Sequence, residues 1–352
     1  MSKTKTAKGS KGNVYPKLHN AAWPGVVGKG APGGEPCIDL DTMIALTVAA
    51  EVDGVKFDGI DPFLSPPHFD IDHPEEAAKQ LADKAIANNL EIGTVVAPIW
   101  GGSATGDDAA KTTFLNAIRN ACIAAKTLRK LGVRPNGCVR IDTSTGVDAW
   151  LKNPVENQKI IVATFTQACE IAAEYDEVLA CEGEICWGGI HSWRRVNEVL
   201  EMVDRPQTLG FQADMAHSML YLLGYNAPED RLLPENFDWS DTETFDAAYK
   251  KMTNVLRHWT VDFHIAQNDG TVFGSGTHDK TGRHCLPNDP NGKLNITHHA
   301  GFWLKDEDGL TKRFNHICWD GCMFPNATMM KPETWNLILA AMIDVRNNYG
   351  WK

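Results

Sequence analysis

Residues 177–187 read EVLACEGEICW, an apolar run that passes into two acidic side chains. A short run of this kind, bounded by polar residues, is typical of a buried strand in a parallel sheet. Glu182 stands where the apolar part ends. Glu184 follows two residues later and therefore shares a face with Glu182 if the strand continues. We interpret the stretch as a strand that carries carboxylates to one edge of a sheet.

Similar apolar runs recur along the whole chain. They occupy residues 17–23, 53–60, 91–100, 137–143, 208–217, 260–267 and 314–320. Between most of them lie segments with helical periodicity, several of which begin with Pro or Asp, as helices commonly do. Eight strands that alternate with helices predict a (β/α)8 barrel, and a doubly wound open sheet is the competing arrangement.

The domain organisation is simple, because no linker of low complexity divides the chain. We predict a flexible tail over residues 1–12 and a single barrel domain over residues 13–352. One segment, residues 270–308, shows no helical period and is rich in Gly, Asn, Asp and His. In a barrel, a long irregular loop after the seventh strand lies on the C-terminal face, where active sites form. We therefore expect this segment to belong to the active site.

Composition excludes several classes of function. The chain has 352 residues and a formal net charge of −11, which disfavours a nucleic acid as partner. No apolar run approaches the ~20 residues that span a bilayer, and no apolar segment of a secretory signal follows the basic N-terminus. The nine cysteines, an odd number, predict reduced thiols rather than a disulfide framework. We expect a cytoplasmic protein.

Polar residues stand at the ends of four consecutive predicted strands. They are Glu182, Asp214, His264 and Asp320. Three carboxylates and one imidazole form a plausible site for a divalent metal, with Mn²⁺ favoured and Mg²⁺, Co²⁺ or Zn²⁺ as alternatives. The competing interpretation is that each is a buried polar group satisfied by its neighbours. It is weakest for Glu182 and Asp214, because ionised carboxylates in a barrel mouth are costly without a cation.

Three of these strand ends resemble those of xylose-isomerase-like barrels, a superfamily of sugar isomerases, keto-sugar epimerases and metal-dependent apurinic endonucleases. They read VLACEGEICWGG, LGFQADMAHSML and VDFHIAQNDG, and the resemblance extends over nearly the whole chain. It implies metal ligation by Glu182, Asp214 and His264. The ligand on the eighth strand is normally Glu, whereas this chain has Asp320 there. His316 is therefore the alternative fourth ligand.

Four other stretches read PKLHNAAWPG, VDGVKFDGID, NITHHAGFW and HICWDGCMFPN. They resemble the large subunit of bacterial C-deglycosidases, members of the same superfamily that act on 3-oxo-C-glycosides. The resemblance implies a lyase that removes the proton next to the keto group, through a metal-stabilised enediolate, and then releases an aglycone. It also implies a small β-rich partner subunit in a hetero-oligomer. A keto-sugar isomerase, epimerase or hydratase of the same superfamily is the alternative function.

A base must reach the proton that leaves, and histidine titrates close to neutral pH. The candidate groups for this role are Glu184, His217, His298 and His299. We expect the last two to lie over the site as part of a lid, and a solvated loop pair is the alternative. The candidates for contact with the substrate are His19, Lys56, Trp187 and His316. For His19 the alternative is a hydrogen-bonded core histidine, and for Trp187 it is core packing.

Overall fold

The computed structural model describes residues 14–273, 281–305 and 312–352, so the predicted N-terminal tail lies outside it. Within these residues the strands are β1 Lys17–Ala21, β2 Gly59–Asp61, β3 Glu91–Ile92, β4 Val95–Val96, β5 Val139–Ile141, β6 Leu179–Glu182, β7 Leu209–Asp214, β8 Thr260–Ile265, β9 Val272–Phe273, β10 Thr281–Gly282 and β11 His316–Trp319. One sheet contains all of them except β9 and β10, which pair with each other. Its strand order is β3-β2-β1-β11-β8-β7-β6-β5-β4.

The two outermost strands of this order, β3 and β4, are halves of one barrel strand. The first half pairs with β2 and the second with β5, and only Gly93 and Thr94 lie between them. Every pairing in the sheet is parallel. If the two halves are counted as one strand, the sheet has eight strands and forms a nearly closed barrel. The predicted (β/α)8 barrel is therefore confirmed.

Helices cover the outside of the barrel. In the described residues they are α1 Leu40–Ala49, α2 Pro74–Ala87, α3 Asp108–Lys130, α4 Val147–Leu151, α5 Pro154–Glu174, α6 Trp193–Val203, α7 Met215–Leu222, α8 Thr242–Leu256, α9 Ile296–Leu304, α10 Asn326–Met329 and α11 Pro332–Tyr349. Their buried faces continue the core, as where Phe114 of α3 and Phe165 of α5 stack with ring centroids 6.4 Å apart. Among these helices, none has both the length and the apolar character that a membrane crossing requires.

The segment of residues 270–308 contains more regular structure than its sequence indicates. It includes the antiparallel pair β9–β10 and the helix α9, so the expectation of a stretch without helical structure was wrong. The side chain of Asn295 caps α9 by accepting a hydrogen bond from the His298 backbone N–H. The helix is only nine residues long, and the irregular, Gly- and Asn-rich residues before it mask its period. Residues 274–280 and 306–308 of this segment lie outside the described residues.

Gly93, at the break between β3 and β4, allows side chains to pack inside the barrel. A Cβ atom there would lie 2.3 Å from Asp61 Oδ1 and 2.5 Å from His19 Nδ1, which is closer than van der Waals contact allows. We predict that Gly93→Ala lowers the free energy of unfolding by about 1–3 kcal/mol, because the buried pair must move apart. Urea denaturation measures this change.

The matched control for this prediction is Gly101→Ala. The nearest atom to a Cβ at Gly101 is a methyl carbon of Thr113 at 3.9 Å, an ordinary contact. We expect the control to change the free energy of unfolding by no more than about 0.5 kcal/mol. Equal effects of the two substitutions would show that space inside the barrel is not what requires Gly93.

Candidate metal centre

Four buried side chains meet at the C-terminal end of the barrel. Glu182 and Asp214 are the last residues of β6 and β7, and His264 is the last but one of β8. Asp320 follows β11 directly. All four are at most 2% exposed. The sequence predicted this grouping because the carboxyl ends of parallel barrel strands lie on one face.

Atoms from four side chains surround one point in this mouth. His264 Nδ1 lies 4.0 Å from Asp214 Oδ2 and 3.7 Å from Asp320 Oδ2. His284 Nε2 lies 3.7 Å from each of the same two oxygens. Atoms bound to one ion at about 2.1–2.3 Å lie roughly 3–4.5 Å apart. The spacing therefore matches that of ligands around a single divalent cation.

Three of these atoms have unsatisfied bonding capacity. Asp214 Oδ2, His264 Nδ1 and His284 Nε2 are buried and make no hydrogen bond to the described residues. Each buried polar atom left in this state costs about 1–3 kcal/mol. A cation bonded to all three would remove that cost. By the test of donor type, spacing and unsatisfied atoms, the residues fit a divalent metal.

The carboxylates also control protonation of the two imidazoles. Burial opposes the charged form of His264, but Asp262 and Asp320 outweigh it and raise its pKa to about 10. Burial likewise opposes protonation of His284, whereas Asp320 and Asp214 raise its pKa to about 9. In turn, the two imidazoles hold the pKa of Asp320 well below its usual range in spite of burial. The carboxylates therefore favour positive charge at this centre. A bound divalent cation would supply that charge in place of the protons on the two imidazoles.

Arg140, on β5, places a positively charged side chain at the edge of the centre. Its guanidinium contacts Glu182 Oε2 and lies 3.2 Å from Glu184 Oε1. It also lies over the ring of Trp23, 5.8 Å from the ring centroid. Trp23 itself donates a hydrogen bond of 3.0 Å from its indole N–H to Asp320 Oδ1. One of the four predicted ligands, Glu182, is therefore engaged by a cationic side chain.

The candidate bases Glu184 and His217 lie beside this centre. His217 Nε2 is 3.8 Å from Glu184 Oε1, and the Glu184 carboxylate also accepts a 2.8 Å hydrogen bond from the Thr281 hydroxyl. Asp214 positions His217, because its Oδ1 accepts hydrogen bonds from the backbone N–H groups of Ala216 and His217 at the start of α7. Burial lowers the pKa of His217, although Glu184 and Asp214 oppose this. A neutral imidazole able to accept a proton is the result.

The other two candidate bases lie elsewhere. His298 and His299 lie on α9, and their Nε2 atoms are 2.7 Å and 3.1 Å from the two carboxylate oxygens of Asp246 on α8. The structure thus places them in the outer helical layer rather than in a lid over the mouth. The physical reason is the helix itself, which holds both rings against the neighbouring helix.

Of the residues predicted to contact the substrate, Lys56 lies farthest from the predicted position. Strand β2 begins only at Gly59, so Lys56 precedes it and lies at the N-terminal end of the barrel. There it lies 3.4 Å from Glu51 and borders a cavity of about 750 Å³, together with Lys17 and Arg346. The predicted strand of residues 53–60 began too early, and this error placed Lys56 at the wrong end.

His19 and His316 lie inside the barrel below the metal centre. His19 Nδ1 and His316 Nε2 are 2.8 Å and 3.1 Å from the two oxygens of Asp61. For His19, this is the hydrogen-bonded core position named as the alternative. At the end of β11, Asp320 Oδ2 lies 3.7 Å from His264 Nδ1, whereas the His316 ring bonds to Asp61. Trp187 is buried in the loop after β6 and stacks on Trp100 with ring centroids 6.4 Å apart.

Among the described residues, the mouth contains little free space, whereas a much larger cavity lies at the opposite end of the barrel. A space of only about 10 Å³ remains next to Trp23, Trp100, Arg140, Glu184 and Asp320. We regard the mouth as the candidate site in spite of its small volume, because buried donors and acceptors that lack a hydrogen-bond partner among the described residues converge here. The cavity of about 750 Å³ is bordered instead by lysines that already pair with acidic neighbours.

Three residues of the mouth were not predicted from the sequence: Arg140, Thr281 and His284. The last two belong to the segment of residues 270–308, which was expected to reach the active site, but the histidine pair His298 and His299 was chosen within it. No spacing in the sequence distinguishes His284 from the other histidines of that segment. Arg140 is buried on β5, and the inward direction of a strand residue follows only from its register.

Comparison with known proteins identifies the fold. No protein-family model matches the chain, and no curated protein sequence is significantly similar to it. Among solved structures, a D-tagatose 3-epimerase-like protein matches with a TM-score of 0.61 at 13% identity, covering 94% of this chain and 99% of that one. The chain has a xylose-isomerase-like barrel fold. At such low identity the similarity concerns the fold alone.

Two further solved structures share this fold, one of a zinc-bound protein and one of a keto-sugar epimerase. The IOLI protein with a bound zinc atom matches with a TM-score of 0.60 at 14% identity, covering 95% of this chain and 99% of that one. The 3-keto-D-glucoside 4-epimerase of E. coli matches with a TM-score of 0.51 at 12% identity, covering 83% and 89%. The zinc atom and the keto-glucoside belong to those two proteins, and what this chain shares with them is the fold.

Proposed function

We propose that this chain is a divalent-metal-dependent enzyme that removes a proton next to the carbonyl of an oxo-sugar. The observation that carries the proposal is the convergence at the barrel mouth of atoms of Asp214, His264 and His284 that are buried and make no hydrogen bond to the described residues, beside the buried imidazole of His217. Similar barrels named as a D-tagatose 3-epimerase-like protein and a 3-keto-D-glucoside 4-epimerase support the substrate class.

Asp214, His264 and Asp320 would hold the cation according to both the sequence and the geometry. When bound there, a divalent cation polarises a carbonyl and stabilises the negative charge that develops as the neighbouring proton leaves. Mn²⁺ suits the mixed oxygen and nitrogen donors, with Zn²⁺, Co²⁺ and Mg²⁺ as alternatives.

The other residues of the mouth move the proton and orient the sugar. His217, neutral because it is buried, accepts the proton. Proton uptake turns His217 into an imidazolium. The Glu184 carboxylate, which Thr281 and Arg140 hold in place, lies 3.8 Å away and stabilises this positive charge. Trp23 and Trp100 form apolar walls suited to the face of a sugar ring.

The fate of the deprotonated carbon determines the product. Return of the proton to carbon gives epimerisation or isomerisation, which the named relatives favour. In a 3-oxo-glycoside, loss of the C2 proton followed by cleavage of the bond between C1 and the aglycone instead forms a C1–C2 double bond in the sugar. The aglycone leaves with the electron pair of the broken bond and takes up a proton. The stretches that resemble a C-deglycosidase large subunit support this second outcome. If this outcome holds, the same resemblance also implies a small β-rich partner subunit.

Incubation with O- and C-linked 3-oxo-glucosides, with and without Mn²⁺, tests the proposal when the products are analysed. An epimer or isomer supports the first outcome, and free aglycone supports the second. If aglycone appears only after a β-rich subunit is added, the hetero-oligomer is supported as well. If none of these substrates changes in a metal-dependent way, the proposed substrate class is contradicted.

The role of the base leads to a specific prediction. We expect His217→Gln to lower turnover by about 10²–10⁴-fold, because the proton acceptor is lost, while metal content stays at the wild-type level. Turnover and metal analysis on the same sample measure both effects. The control is His68→Gln, since His68 is also buried and has a pKa lowered by burial, but its ring bonds to the Ile38 carbonyl rather than to an acidic side chain. If turnover is unchanged in His217→Gln, His217 is not the base.

A further inference from the structure

We propose that His284 replaces Glu182 as the fourth metal ligand, so that the ion also fastens residues 281–295, here called the mouth segment, across the barrel mouth. The proposal rests on the proposed function only in requiring a cation at this centre. It concerns which side chains bind the ion, and it can therefore fail while the metal-dependent reaction stands.

The first line of support is the position of His284. Its Nε2 is buried, makes no hydrogen bond to the described residues, and lies at the same distance, 3.7 Å, from Asp214 Oδ2 and Asp320 Oδ2. His264 Nδ1 faces the same two oxygens. Two nitrogens and two oxygens thus alternate around one point, as ligands of a single ion do.

The second line of support is the engagement of Glu182. Arg140 contacts its Oε2, and the same guanidinium holds Glu184 at 3.2 Å. A guanidinium and a divalent cation compete for the same carboxylate lone pairs. Arg140 thus competes for Oε2 of Glu182, while Oε1 is buried and makes no hydrogen bond to the described residues. The proposal takes His284 instead because its Nε2 lies 3.7 Å from both Asp214 Oδ2 and Asp320 Oδ2.

The third line of support is the way in which the mouth segment is attached. Gln267, just beyond β8, holds Leu294 by two hydrogen bonds of 2.9 Å, and its backbone oxygen accepts one of 2.8 Å from Cys285 N. Asn268 similarly holds Arg283 and Lys293. These bonds fix the segment to the rim. Over the mouth itself, the described side-chain contacts come from Thr281 on Glu184 and from His284.

This arrangement changes the expected metal preference. A set of two imidazoles and two carboxylates is richer in nitrogen than the set predicted from the sequence, and imidazole favours Zn²⁺ or Co²⁺ over Mg²⁺. It also links two properties that would otherwise be independent: metal affinity and protection of the mouth segment from solvent.

The test measures Co²⁺ binding by visible absorption, and amide hydrogen exchange in residues 281–295, on metal-free and Co²⁺-loaded full-length protein. For the wild type we expect Co²⁺ to slow exchange in this segment. For His284→Ala and His284→Gln we expect an at least 10-fold weaker affinity, an altered Co²⁺ spectrum and no metal-dependent protection. The glutamine variant keeps the side-chain volume and a polar group, which guards against loss of folding.

The matched control is His298→Ala, because His298 follows the same segment but bonds to Asp246 in the outer layer. It should match the wild type in affinity, spectrum and protection, and Glu182→Gln should keep the Co²⁺ affinity within about 3-fold. Wild-type affinity and protection in both His284 variants would overturn the proposal. Failure of the wild type to bind Co²⁺ would instead overturn the metal centre itself.

Discussion

Asp214→Asn should bind no metal at concentrations that saturate the wild type, and its turnover should fall by at least about 10³-fold. Asp214 has two separable roles, since Oδ1 caps helix α7 and Oδ2 faces the centre and has no hydrogen-bond partner among the described residues. Asparagine retains a cap of similar strength but removes the charge. The protein should therefore remain folded while the centre fails. Metal analysis, turnover and thermal unfolding on one preparation measure all three properties.

The control for this prediction is Asp107→Asn, which changes an exposed cap of helix α3 in the same way. It should leave metal content and turnover at wild-type levels. Retention of metal by Asp214→Asn with the fold intact would contradict the assignment of this carboxylate as a ligand. Unfolding of the variant would show that the cap and the charge cannot be separated here.

Arg134→Met should have the largest effect on stability, lowering the free energy of unfolding by about 3–5 kcal/mol. Arg134 and Glu177 form an ion pair of 2.9 Å in which each side chain is only 1% exposed, and Arg134 Nε also donates to the Gly93 carbonyl. Removal of the arginine leaves a buried carboxylate whose remaining charged partner among the described residues is Arg129. Chemical denaturation followed by circular dichroism measures the loss.

Two further variants distinguish the buried charge from lost packing. The double variant Arg134→Met with Glu177→Leu should recover most of the stability, because replacing both members of a buried pair by apolar residues is often neutral. Arg129→Met should cost only about 1 kcal/mol or less, since Arg129 is 37% exposed. If the double variant is as unstable as the single one, packing rather than charge accounts for the loss.

The fold was predictable because the strands of the barrel are buried on both faces. Each strand therefore appears in the sequence as a short apolar run. The positions of Glu182, Asp214 and Asp320 followed from the same pattern, since each stands where such a run ends. The residue at which each strand begins did not follow from this pattern. Apolar residues before β2 extended the predicted strand, and Lys56 was placed at the wrong end of the barrel as a result.

The rest of the site depends on contacts distant in sequence. His284 reaches the centre because Gln267 and Asn268 hold the mouth segment against the rim, and no local pattern encodes this. The neighbouring histidines His298 and His299 have a similar composition around them but belong to a helix that packs outward on Asp246. Histidine content alone could not separate the two cases.

Deuterium incorporation into a 3-oxo-glucoside in D₂O, followed by proton NMR, tests the central claim most directly. With Mn²⁺ or Co²⁺ present, we predict loss of the proton signal at a carbon next to the carbonyl, faster than without protein. Chelation of the metal, Asp214→Asn and His217→Gln should each suppress this exchange. Exchange that is equally fast after chelation, or absent in the metal-loaded wild type, would contradict the account.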